Sequence, residues 1–152
     1  MVSKRFVLFL FLPFLLFSCG RKGANLEEAI QRARALPLSQ APDFLEAYVA
    51  RKKPEGSSVY LYRFVLDESE KPLSPVRVLL WPEEEHLFYS FGFEKESTLA
   101  AKEATSVPSE NVYKAVSINF SSAQDWTSFE VYLSYAEGGK DVETRFALPL
   151  SH

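Results

Sequence analysis

Ser128-Phe129-Glu130-Val131-Tyr132-Leu133-Ser134-Tyr135-Ala136-Glu137-Gly138-Gly139-Lys140-Asp141-Val142-Glu143-Thr144-Arg145-Phe146-Ala147-Leu148 is the stretch that decides the fold. Phe129, Val131, Leu133 and Tyr135 alternate with Ser128, Glu130, Tyr132 and Ser134. After Gly138-Gly139, Val142, Thr144, Phe146 and Leu148 alternate with Asp141, Glu143 and Arg145. A period of two puts each set on one face of a strand. The paired glycines accept the positive φ of a tight turn, so the stretch predicts a β-hairpin.

Working back from the hairpin, the same period recurs. Val112 to Phe120 places Val112, Val116, Ile118 and Phe120 on one side. Residues 59–66, 76–81 and 86–93 read as three strands of an antiparallel meander, separated by the polar segment 67–74 and by Pro82 with Glu83-Glu84-Glu85. Thr98 to Ala104 suits one or two helical turns. Nearer the N-terminus the period lengthens. Asn25 suits an N-cap for a helix through Ala35, with Glu27 and Glu28 in its first turn. A second helix is expected from about Ala41 to Ala50, striped by Phe44, Leu45 and Val49.

The expected fold is therefore α+β and mostly β. Two short N-terminal helices precede about six antiparallel strands, arranged as a small β-sandwich with the helices at one edge. An immunoglobulin-like sandwich is one form of this, although no cysteine pair supports it; a single curved sheet over the helices is the alternative.

The first twenty residues differ from all of this. Lys4 and Arg5 precede an apolar run from Phe6 to Phe17, which ends in Ser18-Cys19-Gly20. Cations at the start, an apolar centre and small residues at the end form an export signal. Twelve apolar residues interrupted by Pro13 are too few for a spanning helix, which needs about 20. Cys19 is the only cysteine, so it closes no internal disulfide. Leu16-Phe17-Ser18-Cys19 resembles the lipobox of bacterial lipoprotein precursors, with Phe17 departing from the usual small or aliphatic residue there. The resemblance implies cleavage between Ser18 and Cys19 and acyl chains on Cys19. It covers about twenty residues and is silent on the domain behind them. It divides the chain into a signal peptide (1–18), a lipidated tether (19–25) and a single domain (26–152). By the same analogy Gly20, in place of an aspartate, leaves outer-membrane sorting open, and the outer membrane is the expected location.

Removing residues 1–18 removes two of the 17 basic residues and none of the 20 acidic ones, leaving a formal charge of −5. An acidic balance of this kind argues against nucleic acid, whose affinity rests on clustered Lys and Arg. Arg51-Lys52-Lys53 is the one dense basic cluster of the mature part, and reads as the end of the second expected helix.

Chemistry leaves few marks. Glu83, Glu84, Glu85 and His86 form the only acid–histidine cluster, and a solvated turn explains it most simply. No G-x-S-x-G or phosphate-binding glycine motif occurs, and no metal or cofactor site is expected. Arg63, Glu130, Glu143 and Arg145 read as solvent-side strand residues. Tyr60, Tyr62, Phe88, Trp126 and Tyr132 fall opposite the apolar faces or at strand ends. They are candidate binding aromatics if exposed, and a second buried face if covered. The expectation is a non-enzymatic, membrane-anchored envelope lipoprotein that binds another protein, as an assembly accessory or a surface adhesin. The alternatives are a carrier or sensor of an apolar ligand in an aromatic-lined pocket and, further off, a hydrolase using Glu83 to His86.

Overall fold

The computed structural model describes residues 25–83, 86–105 and 110–151. The chain is mostly β, and the hairpin is its spine. β8 (Ser128–Glu137) and β9 (Lys140–Pro149) pair over ten positions, from Ser128 opposite Pro149 to Glu137 opposite Lys140. Gly138 and Gly139 turn the corner with φ of 58° and 78°, a region that costs side-chain-bearing residues about 1–2 kcal/mol. β3 (Arg77–Pro82) lies antiparallel on the other side of β8, and β4 (Tyr89–Phe91) lies on β3, giving a four-stranded sheet ordered β4-β3-β8-β9. A second sheet is ordered β1-β2-β7, from Glu46–Lys52, Tyr60–Asp67 and Val116–Ser122. A two-residue parallel pair, β5 (Thr98–Leu99) with β6 (Val112–Tyr113), forms a third, small sheet.

The two sheets share one core. Val49, Tyr62, Phe64, Leu66 and Val116 from the three-stranded sheet meet Val78, Leu80, Phe129, Val131, Leu133, Phe146 and Leu148 from the other, all buried. Burying each large apolar side chain contributes about 1.5–3 kcal/mol, so this layer is the main source of stability.

One helix, α1 (Leu26–Ala35), covers the outer face of the four-stranded sheet. Asn25 caps it as expected, its side chain accepting from the Glu27 backbone N–H at 3.0 Å. Ala29 and Ala33, one turn apart and fully buried, lie against Leu79, Trp81 and Tyr132. β8 is consequently buried on both faces, from Phe129 through Tyr135.

Several expectations are corrected here. The second helix does not form: residues 46–52 are strand β1, paired along its full length with β2. Its backbone also meets the C-terminal segment, where the Ser151 N–H donates to the Val49 carbonyl at 2.9 Å. The meander is also absent. β2 pairs with β1 and β7, while β3 pairs with β4 and β8, so the chain changes sheet between β2 and β3. Thr98–Leu99 is extended rather than helical, and the strand expected over 112–120 is split at Lys114-Ala115 into β6 and β7. There are nine strands among the described residues rather than about six, and α1 packs on a face rather than at an edge.

Two charged residues expected at the solvent side are instead largely covered. Arg145 holds Glu130 with side-chain exposures of 19% and 11%. Its Nη1 also donates to the carbonyls of Arg34 and Leu36 at 3.1 and 2.9 Å, satisfying acceptors that the end of a helix leaves open. Pro37 follows at once, and the Ser39 N–H donates to the Arg145 carbonyl at 2.8 Å.

Candidate functional site

At one end of the sandwich, side chains from both sheets build an aromatic cluster. The register of β2 with β7 sets Tyr62 opposite Phe120, and the rings stack at 5.2 Å with 8° between planes. Tyr89, from β4 in the other sheet, stacks on Phe120 at 4.1 Å. Trp126 and Phe129 approach Tyr62 at 5.5 Å each, and Tyr60 at 6.3 Å. The Tyr62 hydroxyl donates to the Gln124 carbonyl at 2.6 Å and accepts from the Trp126 N–H at 2.9 Å, pinning the loop before β8. Arg51 and Lys53 lie over the Tyr60 ring at 5.2 and 4.9 Å, and Arg51 also pairs with Asp125. Burial pushes the Tyr62 hydroxyl pKa up, opposed by its bond from the Trp126 backbone; burial also raises that of Tyr89.

The five candidate aromatics do not share one surface. Tyr60, Tyr62 and Trp126 belong to this cluster, where Tyr62 is buried and the other two are half-buried. Phe88 and Tyr132 lie on the helix side. Phe88 packs on Trp81 at 5.1 Å beneath Arg34, and Tyr132 is buried under α1 with its hydroxyl donating to Glu143. Tyr62 and Tyr132 are therefore core residues, because each faces a covering layer, the opposite sheet or the helix. Tyr89, Phe120 and Phe129 complete the cluster; alternation places Phe120 and Phe129 on apolar strand faces without joining them to the candidate aromatics. The signal that finds them is strand pairing, which sequence alternation does not specify.

The other distinctive surface is the outer face of the three-stranded sheet. Ala50, Arg63 and Asn119 form one row across it, and Lys52, Leu61 and Ser121 the next. Together they line a groove of about 550 Å³. Leu61 is 47% exposed, and Tyr48 further along β1 is 39% exposed. The Arg63 Nε donates to the Ser117 hydroxyl at 3.2 Å, leaning across β7. Neither Lys52 nor Arg63 lies within ion-pair distance of a carboxylate among the described residues.

Glu83 and His86 are exposed, and His86 Nδ1 lies 3.1 Å from the Arg34 guanidinium, which donates to it. Glu84 and Glu85 lie outside the described residues, as do Ser18 and Cys19. Among the described residues no three His, Cys, Asp or Glu side chains gather as a metal site, and no helix is long and apolar enough to cross a membrane. No protein-family model, curated protein or solved structure matches the chain.

Proposed function

We propose that the protein is a non-enzymatic envelope lipoprotein, cut after Ser18 and anchored by lipid on Cys19, more specifically in the outer membrane. Its β domain binds another protein through the outer face of the three-stranded sheet. One observation carries the binding part. The two sheets have outer faces of very different fate: α1 seals one, while the other leaves Leu61 and Tyr48 in solvent beside Arg63 and Lys52. Apolar side chains rimmed by unpaired cations suit an interface with a protein surface of opposite charge.

The strand order supports reading the domain as an immunoglobulin-like sandwich. The orders β1-β2-β7 and β4-β3-β8-β9 correspond to strands A-B-E and C′-C-F-G of that architecture, without its disulfide. Such folds host many functions, so the binding role rests on the exposed face. The groove, roomy enough for a small ligand and floored by Ala50 and Leu61, favours a carrier or sensor of an apolar ligand as the second reading.

Two measurements test the proposal. Intact mass of the protein extracted from membranes should equal residues 19–152 plus acyl chains, and Cys19→Ser should lose both the added mass and membrane retention. A photo-crosslinking residue at position 61 should capture an envelope protein in intact cells, while one at Leu38, also exposed but on the helix side, should not. An unmodified soluble product, or equal capture from both positions, would refute the respective half.

A further inference from the structure

The side of the sandwich between β7 and β4 combines three features. First, β7 is the last strand of its sheet, and among the described residues its outer edge has no backbone partner. Second, Ile118 and Phe120 point toward the core yet stay half-exposed, as do Tyr89 and Phe91 on β4, while Tyr113 on β6 is exposed. Third, none of the twelve residues of β4, β6 and β7 is charged, in a chain where charged residues make up 24%. Edge strands usually carry lysine, proline or a bulge to prevent pairing with a neighbour, and Val116–Ser122 has neither lysine nor proline.

We propose that the free edge of β7 pairs antiparallel with β7 of a second copy, on a two-fold axis through Asn119. This surface is self-complementary. Pairing about Asn119 sets Ile118 opposite Phe120 of the second copy, Ser117 opposite its Ser121, and Asn119 opposite its own equivalent. Apolar residues then meet apolar ones on the inner side, and small polar residues meet on the outer side. No like charges oppose one another. The nearest cation on the outer face, Arg63, lies one strand in from the edge. Its guanidinium reaches across β7 to Ser117, and the two Ser117 residues lie on opposite sides of the axis, four residues apart along the strands, about 13 Å, beyond the screening length of about 8–10 Å. The two three-stranded sheets become one six-stranded sheet, and the half-exposed Ile118 and Phe120 gain cover.

The test uses the full chain in detergent, with light scattering reporting protein mass per particle. Asn119 is exposed and points outward opposite Arg63 on β2, so circular dichroism of each variant alone confirms its fold before its mass is read. The wild type should contain two chains per particle. Asn119→Lys and Asn119→Asp should each halve that mass, because like charges then face each other across the axis. Mixing the two variants should restore two chains per particle, which also establishes that both are folded. A wild type with one chain per particle overturns the proposal, as do variants that keep two or a mixture that does not recover. None of these outcomes depends on the lipid or on the partner of the outer face.

Discussion

Glu130 and Arg145 are diagonal neighbours on β8 and β9, and a single guanidinium nitrogen, Nη2, reaches both carboxylate oxygens, at 2.8 and 2.9 Å. The same guanidinium holds the last carbonyls of α1, so one side chain joins the hairpin to the helix. Removing one partner of a covered pair strands the other, at about 3 kcal/mol. Arg145→Leu should therefore lose about that much in urea unfolding at neutral pH. Glu130→Leu combined with Arg145→Leu should cost less than the two single losses added together, by about 1 kcal/mol or more.

Tyr62→Phe keeps the ring stack and removes only the hydroxyl that bridges Gln124 and Trp126. The Trp126 N–H then has no protein acceptor there, and the expected cost is about 1–3 kcal/mol. Trp126 emission should shift to longer wavelength as its loop loosens, read against a Trp81→Phe background so that one indole reports. An unchanged spectrum and midpoint would show that the clamp has no role in holding the loop.

Gly92 and Gly138 make a controlled pair. Both have positive φ, 82° and 58°. A Cβ on Gly92 would stand 2.1 Å from the Val76 carbonyl oxygen, whereas one on Gly138 would meet open space. Gly138→Ala should cost about 1–2 kcal/mol, from backbone strain alone. Gly92→Ala must in addition displace the Val76 backbone just ahead of β3, and should prevent accumulation of folded protein in a soluble-yield and circular-dichroism comparison.

How legible this was depends on the range of the interaction. The Asn25 cap and the β8–β9 hairpin are local, and alternation with two glycines specifies them. The strand over 46–52 is not local. Phe44, Leu45 and Val49 form an apolar stripe that suits a helix, and only pairing with β2 and the C-terminal segment makes that stretch extended. Alternation likewise says that β2 and β3 are strands, and cannot say that they belong to different sheets. Glu130 and Tyr132 read as solvent-facing because β8 alternates; α1, more than ninety residues earlier, covers that face. The aromatic cluster was half legible for the same reason. Tyr60, Tyr62 and Trp126 stood out by type and place, while Tyr89 and Phe120 meet only across the two sheets.

Four tyrosines predict how stability changes at alkaline pH. Burial raises the pKa of Tyr62, Tyr89, Tyr132 and Tyr135 above their ordinary value of about 10. For Tyr132, hydrogen bonding to the Glu143 carboxylate adds to the effect. The unfolded chain ionises first, so the stability from neutral burial is complete below about pH 10 and falls as pH rises from there through the folded values. Unfolding midpoints should drop as pH rises above about 10. Tyr132→Phe should make that drop shallower, even though it lowers stability at neutral pH.

The interleaving of the two sheets also governs when the fold can be completed. β9 is the final strand, and it supplies Phe146 to the core, Arg145 to the end of α1 and the partner for ten residues of β8. The segment just beyond it joins β1. A chain synthesised from its N-terminus thus has α1 and eight strands in hand while β9 is still missing. The three-stranded sheet already has all its strands by then, whereas the four-stranded sheet and the shared core wait for β9.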